Sequence, residues 1–189
     1  LNLGGGFGVR YTEDDPAISY EENIGLVADA IDRTCRELGI DRPTIFMEPG
    51  RSMVAAAGVT LYTAGSVKEI PGFRNYVSVD GGMTDNPRYA LYQSEYEALA
   101  ANKAADPKTM TVTLAGKCCE SGDLLGEGMP VQQLESGDIV AVLSTGAYNY
   151  SMASNYNRLC RPAVVMAREG ASRLIVRRET MEDLIRCDL

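Results

Sequence analysis

The side chains best suited to chemistry stand together at the end of an apolar run. Glu48 and Arg51, with Pro49 and Gly50 between them, directly follow residues 44–47. The apolar run predicts a short buried strand, which would deliver a carboxylate and a guanidinium to one end of a sheet. In barrels of alternating strands and helices, this carboxyl end of the strands carries the chemistry. Taken alone, an ordinary strand-to-helix turn explains the four residues better, so the remainder of the chain must decide.

A second candidate is the glycine run that follows the apolar residues 1–3. Residues 4–8 read Gly-Gly-Gly-Phe-Gly. Glycine lacks a Cβ and adopts positive φ freely, so the backbone N–H groups of Gly5 and Gly6 could approach a phosphate closely. A flexible loop is the alternative for the same composition. Residues 11–16 are polar and turn-like where a dinucleotide fingerprint needs a helix, so a dinucleotide is not expected.

Local signals predict one long helix between these two segments. Ser19 and Glu22 have the spacing of a capping box, and Gly39 supplies a stop. An apolar stripe at helical spacing is formed by Ile24, Val27, Ala28, Ile31, Cys35 and Leu38. Cys35 is therefore expected in the core. Strand, glycine loop, helix and strand form a βαβ unit, which favours a parallel sheet covered by helices.

After residue 58 the pattern changes from helices to short strands. Short helices are predicted at residues 54–58 and 180–186. Strands are predicted at residues 59–67, 76–79, 110–115, 139–143, 163–166 and 174–176. Apolar and threonine residues alternate through 109–114, which is typical of a half-buried antiparallel strand. We therefore divide the chain into an α/β part, residues 1–57, and an all-β part with short helices, residues 58–189.

Composition excludes several classes of function. The 189 residues are 45% apolar and 23% charged, and the net charge of −8 argues against a nucleic-acid-binding surface. No apolar run is long enough to span a membrane. The five cysteines lack metal-ligand spacing and the chain has no histidine, so no metal site is predicted. Reduced thiols in a cytoplasmic protein are the simplest interpretation.

Four motifs together carry a resemblance to a known family. They are residues 4–8, residues 48–52, Cys-Glu-Ser-Gly-Asp at 119–123 and Gly-Ala-Tyr at 146–148. Their order resembles that of the fold-type III pyridoxal-phosphate decarboxylases. The ornithine branch of the family carries Asp at the position of Glu120. In having Glu there, the chain resembles the branch that acts on diaminopimelate. The resemblance implies an α/β plus all-β fold: the C-terminal end of a (β/α)8 alanine-racemase-like barrel, followed by a Greek-key β-barrel or sandwich.

The resemblance also implies a reaction and a cofactor. The reaction is the pyridoxal 5'-phosphate-dependent decarboxylation of meso-2,6-diaminopimelate to L-lysine and CO2, by a carboxy-lyase of lysine biosynthesis. The implied cofactor-binding residues are Gly5, Gly6, Glu48, Pro49, Gly50, Arg51 and Tyr148. Glu48 would keep the pyridine nitrogen protonated, so that the ring can accept electrons. Cys119 would return a proton after CO2 leaves, a transfer that suits a thiol because its ordinary pKa of about 8.5 lies near working pH.

Five side chains are implied to bind the substrate: Arg51, Arg88, Tyr92, Glu120 and Tyr148. Arg88 and Tyr92 are four residues apart, so on a helical turn opened by Pro87 they would share one face. Without the resemblance, an exposed Arg above a packed Tyr would be the better interpretation. Two cations, Arg51 and Arg88, with the anion Glu120 match a remote amino-acid head group better than a plain diamine precursor.

Several neighbours of these residues have supporting or open roles. Cys118 should point away from Cys119 on an extended segment, and we interpret it as structural. Asp123 is interpreted as an acid that fixes its loop. The loop after Tyr148 contains further polar residues that could support the site, namely Tyr150, Tyr156 and Asn157.

One residue of the family pattern is missing. The lysine that holds the cofactor lies upstream in the family, and Lys117, the nearest substitute, should lie on the wrong side. We therefore expect a fragment that is inactive alone, or a partial protein that needs a partner chain. By resemblance it should form a homodimer in which Cys119 and Glu120 complete the site of the other subunit. A related decarboxylase of another basic amino acid or carboxylated polyamine, and a non-catalytic β-domain partner module, stay open.

Overall fold

The computed structural model describes residues 1–16 and 19–189, and in these ranges it contains four α-helices and eight strands. The helices are α1 (Tyr20–Leu38), α2 (Gly50–Val54), α3 (Arg88–Tyr92) and α4 (Met181–Ile185). The strands are β1 (Thr60–Ile70), β2 (Arg74–Val79), β3 (Ala98–Ala100), β4 (Met110–Ala115), β5 (Leu124–Val131), β6 (Ile139–Val142), β7 (Val164–Arg168) and β8 (Ala171–Val176). All named strands lie after residue 58, so the strands that the sequence predicts at residues 1–3 and 44–47 are not among them.

A parallel bridge joins the first residues of the chain to the segment that precedes Glu48. The N–H of Phe46 donates to the carbonyl of Leu1, and the N–H of Leu3 donates to the carbonyl of Phe46, both at 2.9 Å. The bridge is centred on Asn2 and Phe46. The parallel direction expected of a βαβ unit is therefore present. The predicted buried strand at residues 44–47 is reduced to this single bridge, and Phe46 is 60% exposed because the described residues do not cover this segment.

Helix α1 begins and ends where its capping residues predict. The Ser19 Oγ accepts a hydrogen bond from the Glu22 N–H at 3.2 Å, and Gly39 ends the helix at a left-handed φ of 65°. Within the predicted apolar stripe only Cys35 is buried, whereas Ile24 and others are exposed. The helix prediction is confirmed, but the described residues do not cover its apolar face.

Helix α2 begins four residues before the short helix predicted at residues 54–58. Pro49 is its N-cap residue, and the fixed φ of proline is compatible with the entry to a helix. A 3₁₀ turn over Ala55–Ala57 follows the helix, and Ala55 is fully buried. The earlier start places Arg51 in the first helical turn, close to Glu48.

Strands β1 to β6 form one sheet in the order β3-β6-β1-β2-β4-β5. Neighbouring strands are antiparallel except β2 and β4, which run parallel with Val77 opposite Leu114. The long connection between these two strands, which contains α3 and β3, permits the parallel pairing. The bounds of β4 are those predicted, and its predicted antiparallel pairing is present on the side of β5.

The sequence pattern missed the two edge strands, β3 and β5. β3 has three residues, and β5 contains Gly126, Gly128 and Pro130, which weaken a strand pattern. The Ala100 N–H in β3 donates to the Oε1 of Gln132, directly after β5, at 2.8 Å. A buried side chain therefore bridges the two edges, and the sheet is nearly closed into a barrel.

Apolar side chains from all six strands fill the interior of this sheet. The fully buried ones include Val77, Val112, Leu114, Leu125, Val131, Val140 and Val142. Interiors packed in this way are rigid. The loops at the ends of the strands, which carry the polar residues of interest, are therefore held on a fixed frame.

The hairpin β7–β8 and helix α4 follow the sheet and are tied together by charged contacts. The Arg161 Nε donates to the Glu179 Oε1 at 2.8 Å, and the Arg177 Nη2 donates to the Asp183 Oδ1 at 2.7 Å. Thr180 and Asp183 form a capping box at the start of α4. The predicted strands and closing helix of this region are present. No helix in the described ranges is long and apolar enough to cross a membrane.

Candidate active site

The glycine run and the Glu48–Arg51 segment both line an open cleft of about 370 Å³. Its volume lies within the range of small-molecule sites, about 300–1,000 Å³. The cleft is lined by Gly5, Gly6, Phe7, Glu48, Pro49, Gly50, Arg51, Ser52 and Tyr148. All seven residues predicted to bind a cofactor are therefore brought together, although Tyr148 comes from a distant loop.

Close backbone contact holds these two segments side by side. The Glu48 N–H donates to the Gly4 carbonyl at 2.7 Å, and a Cβ at Gly5 would overlap the Glu48 carbonyl oxygen. Gly4 and Gly6 have φ values of 68° and 86°, in the left-handed region. No described residue accepts a hydrogen bond from the N–H of Gly5 or Gly6. Such amides can bind an oxyanion, for example a phosphate.

Asn2 orients both sides of the cleft, and sequence reasoning did not select it. Its Nδ2 donates to the Glu48 Oε1 at 2.6 Å, and its Oδ1 accepts from the Gly4 N–H at 2.8 Å. One amide therefore holds the carboxylate of Glu48 and the entry to the glycine run. The only signal for Asn2 in the sequence is a polar residue between two leucines, directly before the glycines.

Arg88 is a buried cation surrounded by aromatic rings. It is 8% exposed, so the alternative of an exposed arginine is wrong. Its guanidinium carbon lies 5.8 Å, 5.6 Å and 5.4 Å from the ring centres of Tyr11, Tyr92 and Tyr148. The Arg88 Nη2 donates to the Ser94 Oγ at 3.2 Å, whereas the buried Nε has no hydrogen-bond partner among the described residues. The predicted shared face of Arg88 and Tyr92 is confirmed.

The charge of Arg88 has no acidic partner in the described part of the chain. No carboxylate there lies within 4.0 Å of the guanidinium of Arg88 or of Arg51. An unpaired buried charge is costly unless a ligand or solvent compensates it. Two arginines near one cleft therefore favour a ligand with more than one anionic group.

Asp85 fixes the loop that precedes α3 and so places Arg88. Its Oδ1 accepts from the Gly82 N–H at 3.0 Å, and its Oδ2 accepts from the Tyr62 hydroxyl at 2.5 Å. Burial raises the pKa of Asp85, and burial followed by the nearby Asp85 charge raises that of Tyr62. The loop is thereby attached to strand β1 inside the sheet.

Asp123 holds the loop that contains the two adjacent cysteines. The carboxylate is buried, its Oδ1 accepts from the Met83 N–H at 2.6 Å, and its Oδ2 accepts from the Cys118 N–H at 2.7 Å. A Cβ at Gly82 or Gly116 would overlap this carboxylate. These contacts agree with the interpretation of Asp123 as an acid that fixes its loop.

Cys119 and Glu120 are held from the other side by the loop at residues 156–157. The Cys119 N–H donates to the Asn157 Oδ1 at 2.6 Å, and the Tyr156 hydroxyl donates to the Glu120 Oε2 at 3.3 Å. The charge of Glu120 is the main reason that the pKa of Tyr156 is raised. Cys119 is exposed, whereas Cys118 is half-buried and burial raises its thiol pKa. The two thiols therefore occupy different environments.

The structure does not bring every predicted residue to the cleft. Cys119 and Glu120 are not among the residues that line it. Arg88 and Tyr92 do not line it either, but Arg88 contacts the ring of Tyr148, which does. Within a single chain, the glycine cleft and the Cys119–Glu120 loop are thus two separate groups.

The sheet, the glycine-lined cleft and the order of the motifs point to a class of protein, which comparison with known sequences shows. The family model described as "Pyridoxal-dependent decarboxylase, C-terminal sheet domain" matches residues 24–146. The chain belongs to this family.

Curated relatives that match the whole chain are named diaminopimelate decarboxylase. The enzyme of that name from Bacillus subtilis (strain 168) is 54% identical over 189 residues, which are 100% of this chain and 43% of the relative. The one from Synechocystis sp. (strain ATCC 27184 / PCC 6803 / Kazusa) is 50% identical over 188 residues, 100% of this chain and 40% of the relative. The chain therefore spans less than half the length of these relatives.

Solved structures give the same result. Diaminopimelate decarboxylase from M. jannaschii in co-complex with L-lysine has a TM-score of 0.85 at 36% identity, covering 100% of this chain and 42% of that one. The Helicobacter pylori enzyme complexed with L-lysine has a TM-score of 0.82 at 32% identity, covering 98% of this chain and 43% of that one. A lysine/ornithine decarboxylase from Vibrio vulnificus, at 21% identity and a TM-score of 0.70, shares the fold.

Proposed function

We propose that this chain is the C-terminal part of an enzyme that decarboxylates meso-2,6-diaminopimelate to L-lysine and CO2 with pyridoxal 5'-phosphate. The observation that carries the proposal is one cleft lined by all seven predicted cofactor-binding residues. Beside it lies Arg88, whose charge has no acidic partner among the described residues. The names of the relatives support the same reaction. In this proposal residues 1–57 end a (β/α)8 barrel, residues 58–189 form a Greek-key domain, and the enzyme works in the cytoplasm.

The cleft fits the cofactor on physical grounds. Amides at Gly5 and Gly6 would bind the phosphate, and the guanidinium of Arg51 would neutralise its charge. Asn2 donates to Glu48 at 2.6 Å and so leaves the second carboxylate oxygen to accept from the protonated pyridine nitrogen. When bound, the cofactor supplies an electron sink for the bond that breaks as CO2 leaves. Tyr148 would contact cofactor and substrate from the other wall.

The substrate site is proposed to recognise an amino-acid head group at the end remote from the reaction. Arg88 would bind its carboxylate, because a planar guanidinium donates two parallel hydrogen bonds to such a group. Glu120 would bind the ammonium, and Tyr92 would pack beside Arg88, 5.6 Å from its guanidinium carbon. A diamine precursor without the remote carboxylate would leave the buried charge of Arg88 uncompensated, which disfavours it.

A homodimer would unite the two separate groups. Because Cys119 and Glu120 do not line the cleft of their own chain, we propose that they complete the cleft of a second subunit. There Cys119 would return a proton to the substrate carbon after CO2 leaves. The lysine that holds the cofactor would come from the part of the relatives' length that this chain does not span.

The test is complementation between two inactive variants of the full-length protein. Glu120→Ala is expected to abolish lysine formation from diaminopimelate, as is replacement of the cofactor-binding lysine. When both subunits are co-expressed in equal amounts, roughly a quarter of all sites combine an intact lysine with an intact glutamate, so about a quarter of the activity should return.

The matched control for this test is Glu69→Ala, which removes an exposed glutamate at the end of β1. Glu69→Ala should be fully active without co-expression of a second variant. No recovery in the mixed dimers would refute the shared site. Turnover of another basic amino acid in place of diaminopimelate would refute the substrate assignment, and no decarboxylation of any amino acid would refute the enzyme.

A further inference from the structure

The turn at residues 156–158 contacts both functional residues of the neighbouring loop. Asn157 accepts from the backbone N–H of Cys119 at 2.6 Å, and Tyr156 donates to the side chain of Glu120 at 3.3 Å. Two consecutive side chains of one turn therefore reach two consecutive residues of another segment. A turn that served only to reverse the chain would need neither contact.

The two amides of the cysteine pair are held from opposite sides. The Cys118 N–H donates to the buried carboxylate of Asp123 at 2.7 Å, while the Cys119 N–H donates to Asn157 at 2.6 Å. With both N–H groups bound, the peptide planes on either side of Cys118 are fixed. The Glu120 N–H also donates to the Cys118 carbonyl at 2.8 Å, so the peptide planes on either side of Cys119 are held as well. Asn157 therefore contributes to the direction in which the Cys119 side chain leaves the backbone.

The backbone of the turn has a conformation that few residues adopt. Asn157 and Arg158 have φ values of 53° and 56°, both in the left-handed region. Asparagine tolerates this region, whereas arginine does so at a cost. Surrounding contacts that hold the conformation lie on both sides of the turn. The Arg158 Nη1 donates to the Leu184 carbonyl at 3.1 Å, and the Asn155 Nδ2 donates to the Glu179 Oε2 at 2.6 Å.

We infer that residues 156–158 are a positioning element for the proposed active site, in which Asn157 orients the thiol of Cys119 and Tyr156 orients the carboxylate of Glu120. This inference rests on the proposed function, because it assigns a purpose to the position of those two groups. The two contacts have different consequences. Asn157 affects proton return through Cys119, and Tyr156 affects recognition of the remote ammonium of the substrate through Glu120.

The contacts are exposed to solvent, so they add little to global stability, and their loss should be visible in function instead. In the full-length enzyme, Asn157→Ala is expected to lower kcat about tenfold or more with KM nearly unchanged, because small misplacements of a reacting group are costly. Tyr156→Phe is expected to raise KM for diaminopimelate about fivefold and to keep kcat, because only the head-group contact loosens.

Alkylation of Cys119 by iodoacetamide, followed by tandem mass spectrometry, provides a readout besides activity. Asn157→Ala should raise its rate about threefold or more because the loop is no longer held. Asn157→Asp keeps the acceptor, so kcat should largely recover.

The matched control is Asn75→Ala, which removes a side-chain hydrogen bond of 3.1 Å to the Thr111 carbonyl on the sheet. It should leave kcat, KM and the alkylation profile unchanged. The inference is overturned if Asn157→Ala matches this control in all three readouts, or if its loss of kcat is accompanied by global unfolding and not rescued by aspartate. If the parent enzyme has no decarboxylase activity, the proposed function fails, and the alkylation profile alone decides whether Asn157 positions Cys119.

Discussion

Replacement of Gly146 by alanine should damage the junction that brings Tyr148 to the cleft. A Cβ at Gly146 would overlap the carbonyl oxygen of Val54 and lie 2.9 Å from the N–H nitrogen of Gly58. Both are backbone atoms, so no flexible side chain can move aside. The Gly146 N–H already donates to the Ala55 carbonyl at 2.9 Å, which holds the two backbones together.

The magnitude follows from the steric overlap alone, because the φ of Gly146 is outside the left-handed region. Overpacking typically costs 1–3 kcal/mol, and a contact between two hydrogen-bonded backbones belongs near the upper end, so we expect about 3 kcal/mol of lost unfolding free energy. Urea unfolding of the full-length protein measures it. Relief of the overlap should also move Tyr148 away from Arg51. A weaker affinity for pyridoxal 5'-phosphate is then expected, and an absorbance titration measures it.

Gly25→Ala is the matched control, because a Cβ there meets no atom within 4 Å and Gly25 lies inside helix α1. Both substitutions restrict the unfolded chain equally, so the difference between them isolates the overlap. Gly25→Ala should stabilise by about 0.5–1 kcal/mol. An unfolding free energy of Gly146→Ala within about 0.5 kcal/mol of this control would show that the junction can relax, and the reasoning would be wrong.

Two further predictions concern buried acids. Asp123→Asn keeps the shape of the side chain but offers only one oxygen to the N–H groups of Met83 and Cys118, so urea unfolding should show a loss of about 2 kcal/mol; an unchanged midpoint would contradict it. The Lys103 ammonium is the main cause that lowers the pKa of Asp138 to about 2. Stability from Asp138 is therefore present above about pH 4 and lost as the pH falls towards 2. Asp138→Asn should flatten the unfolding free energy across this window, and an unaltered slope would argue against the pairing.

Features with local causes could be predicted from the sequence. Helix α1 has its cap at Ser19 and its stop at Gly39, and both signals lie within a few residues of the ends that they determine. Strand β4 has an alternating pattern of its own, and α3 is opened by Pro87. Each of these elements carries its signal inside its own segment, so no knowledge of distant contacts is needed.

Features determined by distant contacts could not be predicted. Strand β3 is three residues long and pairs with β6, and its edge is closed by the side chain of Gln132. The apolar stripe of α1 predicted burial, but burial needs a covering layer, which the described residues do not provide. Sequence periodicity shows which face of a helix is apolar and leaves open what packs against it.

The residues of the candidate site also fall into those with local signals in the sequence and those determined by distant contacts. The glycine run and the charged segment were predictable because residue type and local backbone account for their chemistry: a Cβ at Gly5 has no room beside the Glu48 carbonyl. Asn2 was missed as the partner of Glu48, and the role of Asn157 was left open. Asn2 lies 46 positions from Glu48 in the sequence, and Asn157 lies 38 positions from Cys119. An asparagine in a sequence does not indicate such a distant partner.

The distribution of these groups indicates which property of the proposed enzyme this part of the chain controls. In the proposed enzyme the cleft would bind the phosphate and set the protonation of the ring, whereas Arg88 and Glu120 would distinguish one amino-acid head group from another. Arg88 is buried among the rings of three tyrosines, while Glu120 lies on an exposed loop and accepts a hydrogen bond from Tyr156. In the proposed enzyme, affinity for the remote carboxylate would therefore depend on a buried side chain, and recognition of the remote ammonium would depend on a surface contact. It follows that substrate preference should change more readily through the Glu120 loop and its supporting turn than through Arg88.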